Sequence, residues 1–445
     1  MLNRRNFLLA SGTTLAVSMI RRFVPAAPAA SGSVSLCGTP EEVGRRFGEI
    51  NAGDIREHMN ALLGAWREKG LDDRGMIAKS EPLRRFIKKL APAWEGEFAA
   101  CAEAAAVDPE LYMAFQAGKY RSIFFVQECT SFLAVGDATA DGAPLFHKTR
   151  DNQVRGQCAY WKALRHASEP AAFHATGDTS DVGVMMMVNQ HGVAGSADMG
   201  GLKVKKPKGD GVMNPYILRL IAERAERVED ALEIIQMTIR DGWYAGGASS
   251  GTNWSFADRL GKGLRVRQNN YEEEHWFVQD DIAFSVREDT PGADIIKKKK
   301  GRITVPDMHA ASTHPSMCFP SSVSSMTVRI DPGDPARRNQ TWFAIPSWSP
   351  YVPFFAPSPA TPPSMLDGSS FWRWYDLSKD VQDKNYGKPM RLSPAETERR
   401  DEIQAKLYAM ADEASKEINA ALDAGDQERA ETVARRLSEE GASLL

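Results

Sequence analysis

The chain of 445 residues is 42% hydrophobic and 25% charged, so it can bury a substantial core and is long enough for two or three lobes. Its net charge of −3 gives no excess of basic groups of the kind that nucleic-acid binding needs. The five cysteines are scattered, without the CxxC or Cys/His spacing of a zinc site, and their odd number leaves at least one thiol free. We therefore expect no nucleic-acid partner, no metal and no dense disulfide framework.

The N-terminus predicts export. Arg4 and Arg5 precede a modestly apolar stretch that ends at Ile20, and residues 27–30 offer a small-residue cleavage site. This pattern is typical of a twin-arginine signal peptide over residues 1–30, the alternatives being an ordinary basic N-terminus or a general secretory signal. The apolar stretch is short and interrupted by polar residues, so we expect no stable membrane insertion after signal removal. The predicted location is periplasmic or secreted.

After the signal peptide, residues 33–120 are predicted to be helical. Apolar residues recur at helical spacing over Glu41–Trp66, and a second helix is predicted over Trp94–Ala106. Asp108 supplies a helix cap, and Pro109 stands at the first position of a helix that continues over Glu110–Ala117.

From residue 129 the pattern changes to short β-rich runs bounded by turn residues. Such runs occur at Phe132–Val135, Pro144–His147, Val182–Val188, Asn253–Ala257 and Leu264–Val266. Two amphipathic helices, Asn214–Arg224 and Val228–Arg240, lie between these strand pairs. This order predicts packed α-helical and antiparallel β layers instead of an alternating βαβ arrangement.

The last hundred residues carry two further features. Residues 345–366 are rich in proline and aromatic side chains, which is typical of an ordered loop over a core and is also compatible with a cleft wall. Ser393 and Glu396 form a capping-box pattern before an apolar helical stripe that includes Ile403 and Leu407. We interpret this C-terminal helical part in two ways: it packs on the core of its own chain, or it serves assembly into a homo-oligomer.

The chemistry is predicted at one hairpin. Cys129 precedes a strand, Asp141-Gly142 forms a turn, and the return strand ends in Lys148, Arg150 and Asp151. In an antiparallel hairpin the two ends lie side by side, and a thiol beside a cation gains the thiolate character that makes it a nucleophile. Composition alone favours the alternative that Cys129 is a small buried apolar residue.

These residues also resemble a known family. The segment Cys129-Thr130-Ser131, the turn over Gly136–Gly142 and the strand ending at Asp151 are similar to the acyl-coenzyme A:isopenicillin N acyltransferase family of N-terminal-nucleophile (Ntn) hydrolases. They also resemble the related secreted dipeptidases and the bile-salt and penicillin V acylases. Further similar segments are Trp94–Phe98, Val107–Glu110, Asn189–Val193 and Pro350–Pro353.

The resemblance implies an α+β fold, a four-layer αββα Ntn-hydrolase sandwich. It further implies a helical pro-segment at 31–128, a catalytic core at 129–390 and a helical C-terminal extension at 391–445. The chain would cleave itself between Glu128 and Cys129, and the freed α-amine would serve as the base for the thiol beside it. The substrate would be a small-molecule amide or a short peptide, and no cofactor is implied.

The resemblance assigns roles residue by residue. Asp151 would orient the new amine. Lys148 stands where the acylases have Arg and the acyltransferases have Gln, so either it or Arg150 would lower the pKa of the thiol. His147, the nearest histidine, we interpret as a structural strand residue.

The substrate-binding residues follow the family pattern less closely. Asp198 stands where the acyltransferases have an oxyanion-binding Asn, and an ionised carboxylate cannot donate a hydrogen bond. Three alternatives stay open: Asp198 is protonated, it binds a substrate amine, or backbone N–H groups of Gly200 and Gly201 bind the oxyanion. Asn253 matches a second family asparagine, and Arg329 resembles the distal arginine of the family.

Two rival functions remain at this stage. The first is a dipeptidase of the same superfamily, in which Asp198 binds the ammonium group of a free peptide. The second is an exported binding protein without catalytic activity, which the departures at Lys148 and Asp198 would favour.

Overall fold

The computed structural model describes residues 33–119, 129–151, 157–203, 211–245, 250–319, 321–346, 348–356, 358, 360–377 and 392–445. The predicted signal peptide and Glu128 lie outside the described residues. In the part of the chain that is described, no helix combines the length and the apolar character that crossing a bilayer requires.

The predicted helices and strands are found in the predicted order, together with further elements that the sequence analysis did not predict. The helices are α1 (Pro40–Glu68), α2 (Asp73–Ala78), α3 (Glu81–Leu90), α4 (Ala93–Ala104), α5 (Pro109–Gly118), α6 (Asn214–Arg224), α7 (Val228–Arg240), α8 (Pro291–Lys297), α9 (Val305–Ser312), α10 (Pro335–Arg338), α11 (Pro363–Leu366), α12 (Pro394–Asp423) and α13 (Gln427–Ser443). The strands are β1 (Leu36–Gly38), β2 (Thr130–Ala134), β3 (Leu145–Asp151), β4 (Gln157–Leu164), β5 (Phe173–Asp178), β6 (Met186–Asn189), β7 (Val193–Lys203), β8 (Ser250–Asp258), β9 (Lys262–Gln268), β10 (Glu273–Gln279), β11 (Ile282–Phe284), β12 (Ser322–Arg329), β13 (Gln340–Ala344) and β14 (Val352–Phe355).

The strands form two sheets. Sheet I has the order β1-β4-β5-β6-β7-β8-β9-β10, and sheet II has the order β11-β2-β3-β12-β13-β14. Neighbouring strands pair antiparallel, except for β1, which runs parallel to β4. Sequential hairpins account for most of these pairs, as expected where turn residues separate short strands.

The side chains of sheet I alternate between two cores. Tyr160 points to a core shared with the helices α1, α4 and α6, whereas its neighbour Ala159 points to a second core shared with sheet II. The second core continues through sheet II to α9, α12 and α13, where Leu407 and Val433 are buried. Since a strand presents alternate residues to opposite faces, this distribution stacks helices, two sheets and helices in turn. The predicted α+β class with two sheets between helical layers is therefore confirmed.

The N-terminal helical part is tied to sheet I by buried charges. Glu97 of α4 accepts a hydrogen bond from Lys162 of β4 at 2.7 Å and also pairs with Arg219 of α6. Arg219 in turn lies 2.9 Å from Glu223, which accepts from the indole of Trp94 at 2.8 Å. Removing one member of such a buried set leaves an uncompensated charge, which costs about 3–5 kcal/mol. The set therefore holds residues 33–119 in a defined position on the sheet.

Several elements were not predicted from the sequence, and two of the differences have a clear local reason. The strand β1 was missed because three residues give no detectable periodicity and their partner β4 is more than 120 residues away. The apolar run Val182–Val188 forms a strand only from Met186, because Asp181 accepts a hydrogen bond from the N–H of Gly183 and closes a turn.

The proline-rich segment after residue 345 is part of the packed core. Trp348 and Tyr351 are buried, and the ring of Tyr351 stacks on His309 with ring centroids 3.7 Å apart. The segment then forms strand β14, against which α13 packs. Helix α12 begins as expected, since the Ser393 hydroxyl accepts a hydrogen bond from the N–H of Glu396 at 3.2 Å.

Candidate active site

The hairpin β2–β3 builds the candidate site. Gly142 turns the chain with φ +75°, and the carboxylate of Asp141 accepts from the N–H of Ala143 at 3.1 Å. The register opposes Thr130 to Thr149 and Ser131 to Lys148, so Cys129 comes level with the end of β3. A two-residue alternation then directs Cys129, Ser131 and Lys148 to the same face.

Lys148 lies at the centre of the site. Its ammonium group donates to the carbonyl oxygen of Ala197 at 2.9 Å and pairs with the carboxylate of Asp198, and Cys129 lies close enough to raise the pKa of Lys148. Burial lowers the pKa of Lys148, while the charges of Cys129 and Asp151 act in the opposite direction. A cation in this position would stabilise a thiolate on Cys129.

Both carboxylate oxygens of Asp198 contact neighbouring side chains. Besides the Lys148 ammonium, its carboxylate accepts a hydrogen bond from the hydroxyl of Ser131 at 2.6 Å. The Ser131 hydroxyl lies 2.8 Å from that of Ser255, and because Ser131 has a single proton, Ser255 is the donor of that second bond. Asp198 thus links the two sheets and holds Lys148 beside Cys129. In this geometry it is neither a donor to an oxyanion nor an unpartnered anchor for a substrate amine.

Asp151 is the last residue of β3, at the end of the strand that lies level with Cys129. Its carboxylate is hydrogen-bonded by the hydroxyl of Ser322 and lies 3.7 Å from the guanidinium of Arg287. Arg287 adopts φ +63°, packs over the ring of Phe319 at 3.9 Å and donates to a backbone carbonyl. Sequence reasoning missed Ser322 and Arg287, because they approach from β12 and from the chain after β11 and carry no local signal.

Arg150 interacts with side chains of sheet I. Its guanidinium donates to the side-chain oxygen of Gln157 at 2.5 Å and lies 3.5 Å from Asp178. Lys119, at the end of the described N-terminal part, lies 3.0 Å from both Asp178 and Asp181. Burial alone raises the pKa of Asp178, but the charges of Lys119 and Arg150 lower it to about 2. Of the two predicted thiol partners, the structure places Lys148 beside Cys129.

Asn253 lies on β8 directly opposite Asp198, so both side chains point into the space between the sheets. Its amide nitrogen donates to the carbonyl of Gly200 at 3.0 Å, where Gly200 has φ +101°. The second proton of that nitrogen remains for another acceptor, which makes Asn253 the side-chain candidate for an oxyanion donor.

Two other residues lie apart from the site chemistry. Arg329 pairs with Asp141 at 2.5 Å at the turn end of the hairpin, so the structure does not bring it to Cys129. His147 is held between the hydroxyls of Thr327 and Thr149, at 2.7 and 3.0 Å, and stacks on Phe132. Burial, and to a smaller extent the charge of Lys148, lower the pKa of His147 to about 3. This histidine is therefore neutral and structural.

Two other thiols, Cys101 and Cys158, are buried in the fold. Burial raises the pKa of Cys101 to about 12 and that of Cys158 well above its usual range. The cysteines of the described part form no disulfide, and no group of three metal-binding side chains occurs there.

Part of the chain that contains most of the candidate site is similar to a known protein family. Residues 139–270 match the family described as acyl-coenzyme A:6-aminopenicillanic acid acyl-transferase. The predicted resemblance is confirmed. The matched range contains Lys148, Asp151, Asp198 and Asn253, whereas Cys129 lies ten residues before it and Arg329 lies beyond it.

Solved structures of amide-cleaving enzymes are similar at a low level. Penicillin V acylase from Agrobacterium tumefaciens is 11% identical, with 51% of this chain and 85% of that chain covered and a TM-score of 0.36. A variant of conjugated bile acid hydrolase from Clostridium perfringens is 10% identical, covering 51% of this chain and 92% of that chain, also at 0.36. The N-acylethanolamine-hydrolyzing acid amidase ortholog of Caenorhabditis elegans is 10% identical, covering 46% and 94%, at 0.35. No curated protein matches the chain in sequence. At this identity and TM-score the likeness specifies neither substrate nor mechanism.

Proposed function

We propose that the chain is an exported cysteine hydrolase of the Ntn class, which cleaves a linear amide or transfers its acyl group through a thioester on Cys129. The observation that carries the proposal is the position of Cys129 on the hairpin beside the buried Lys148 ammonium, which pairs with Asp198. A structural cysteine needs no such partner, whereas a nucleophilic thiolate does.

The reaction begins with the α-amine of Cys129 taking the proton of its own thiol. An α-amine has a pKa of about 7.7–8.0, which suits a base near neutral pH. The sulfur attacks the amide carbon, and Asn253 donates to the oxygen on which charge develops. The protonated amine then gives its proton to the leaving nitrogen, the C–N bond breaks and a thioester remains. Water, or an acceptor amine, attacks the thioester and restores the thiol.

Lys148 and Asp151 have separate roles in this scheme. The Lys148 ammonium stabilises the thiolate electrostatically, and Asp198 keeps that ammonium in place. The Asp151 carboxylate holds the α-amine in the orientation in which it can accept the thiol proton, while Ser322 and Arg287 hold the carboxylate.

The α-amine becomes free only when the chain breaks between Glu128 and Cys129. The thiol of Cys129 attacks the carbonyl carbon of Glu128, the C–N bond between the two residues breaks, and the nitrogen takes the thiol proton to become the α-amine. Water then hydrolyses the thioester that joins Glu128 to the Cys129 sulfur. Export of an already folded precursor through a twin-arginine route is compatible with a cleavage that requires folding. The product chain would begin at Cys129 and contain 445 − 128 = 317 residues.

Intact-mass analysis of the purified exported protein tests the proposal, together with mapping of iodoacetamide on the native protein. We expect signal removal, a 317-residue chain that begins at Cys129, and preferential alkylation of Cys129 over Cys101 and Cys158. Cys129→Ala should remain a single chain, and Cys318→Ala is the matched control that should be processed normally.

Two outcomes contradict the proposal in different ways. A mature protein that cleaves amides while intact across 128–129 would exclude the Ntn mechanism and leave Cys129 dependent on another base. A protein that is neither processed nor selectively alkylated at Cys129 would be the inactive binding protein. The dipeptidase alternative loses its main support, since the carboxylate of Asp198 is already paired with Lys148 and Ser131.

A further inference from the structure

The inner face of sheet I presents a row of side chains to the Cys129 hairpin. Gly263 of β9 packs under Leu133 of β2, since a Cβ there would lie 2.8 Å from the Leu133 side chain. Ser255 of β8 contacts Ser131, and Arg265 lies directly opposite Ser255. Residues two apart on a strand share a face, so Arg265 also points between the sheets, roughly level with Ser131.

Arg265 is a buried cation without a paired anion in the described part of the chain. Only 7% of the residue is exposed, and its recorded hydrogen bond runs from Nε to the carbonyl of Trp254 at 3.3 Å. The structure records no carboxylate within ion-pair distance of it among the described residues. Burial, and to a smaller extent the charge of Arg267, lower the pKa of Arg265 to about 10. The guanidinium is therefore still protonated at neutral pH.

The charged neighbours of Arg265 have partners of their own. Arg267, two residues along β9, lies 3.6 Å from Glu274 of β10. Glu288 acts on Arg265 from a distance, but its side chain is 66% exposed and lies 3.8 Å from Lys297. Arg267 carries the same charge as Arg265, and Glu288 forms no ion pair with it, so neither group compensates the buried charge.

An unpaired buried cation is costly to a fold, and a bound anion relieves that cost. Two features of the position of Arg265 favour the substrate as the source of that anion. Arg265 shares the inter-sheet face with Asn253 and Ser255, within on the order of 10 Å of Cys129 by strand rise and sheet spacing. Trp276 of β10 lies opposite Arg265 and is 48% exposed, so the same face offers an aromatic surface to solvent.

We propose that Arg265 is a specificity-determining residue, which binds a carboxylate carried by the amide substrate on the inter-sheet face that it shares with Asn253 and Ser255. The inference rests on the proposed function, because it assigns one end of the substrate that Cys129 would cleave. The shared chemistry is an anionic amide. The carboxylate can belong to the amine side, as in an N-acyl amino acid, or to the acyl side, as in the monoamide of a dicarboxylic acid.

The test compares matched charged and neutral probes on the processed enzyme. On the amine side these are N-phenylacetylglycine and N-phenylacetylglycinamide, and on the acyl side the p-nitroanilides of glutaric and butyric acid. We expect wild type to prefer the charged member of one pair in kcat/KM. Arg265→Gln should reduce that preference about 10- to 100-fold, as is typical for loss of a charge-assisted hydrogen bond. Arg265→Lys should keep part of it, because the charge remains.

Arg337→Gln serves as the matched control, since that arginine pairs with Asp334 on the surface with its side chain 49% exposed. It should leave both ratios as in wild type, and thermal unfolding checks that each variant is folded. If wild type cleaves charged and neutral probes equally, or if Arg265→Gln keeps the preference, the role of Arg265 is excluded while the proposed function stands. If wild type cleaves no amide and Cys129 resists alkylation, both proposals are overturned.

Discussion

Replacing Asp198 by Asn tests the electrostatic core of the site. The substitution keeps the shape of the side chain and an acceptor for Lys148, but it removes the charge that neutralises a lysine of which only 1% is exposed. Breaking a buried ion pair in this way typically costs about 3–5 kcal/mol. We expect a loss of that size in the free energy of unfolding.

A second substitution identifies the cause. Adding Lys148→Met to Asp198→Asn removes the unpaired ammonium, so we expect the double variant to recover at least half of the lost stability. Asp281→Asn is the matched control, because its pair with Lys300 at 2.7 Å is half-exposed and is worth less than about 1 kcal/mol. Urea unfolding in a Cys129→Ala background measures these differences while the upstream helices stay covalently attached.

The pH dependence of the Asp198→Asn defect has a definite sign. Burial lowers the pKa of Lys148 in the folded state, so the unfolded chain binds more protons than the folded one between that pKa and the usual lysine value of about 10.4. Stability from this group therefore rises with pH through that window. Loss of Asp198 lowers the pKa of Lys148 further and widens the window, so the defect should be larger at pH 6 than at pH 9. An Asp198→Asn variant within about 1 kcal/mol of its parent at both pH values, and further destabilised by Lys148→Met, would refute the reasoning.

Two further predictions concern the base and the export signal. Asp151→Asn should fold and lose about 10²- to 10⁴-fold in amide turnover, because the α-amine is no longer held by charge, whereas the exposed Asp137→Asn should keep its rate; wild-type turnover in Asp151→Asn would exclude the role. Replacing Arg4 and Arg5 by lysines should leave the protein in the cytoplasm, as checked by cell fractionation, and normal export of that variant would remove the twin-arginine assignment.

The sequence predicts the local parts of the site well. The turn at Asp141-Gly142 and the alternation around it predict the hairpin that brings Cys129 to the end of β3. Helices α6 and α7 begin and end where the amphipathic pattern does, at Asn214–Arg224 and Val228–Arg240. In each case the signal lies within a dozen residues, so no tertiary information is needed.

The partners of the site residues could not be predicted in the same way. Ser322 reaches Asp151 across 171 residues, and Arg265 faces the hairpin only because sheet I packs on sheet II. A one-residue change in strand register would turn each of these side chains to the opposite face. Such contacts depend on pairing and packing between distant segments, for which a single sequence gives no local pattern.

The two departures from the family pattern are in contact with each other. Taken separately, Lys148 and Asp198 each favour an inactive protein, since one adds a buried cation and the other a carboxylate where an oxyanion donor is expected. In the structure the ammonium of Lys148 and the carboxylate of Asp198 form one ion pair, so the two charges compensate and neither is left buried alone. The pair leaves Asn253, opposite Asp198, as the neutral side-chain donor, and it keeps a cation beside the Cys129 thiol. Because the two charges act as a unit, they are an argument for a modified active site and against a lost one.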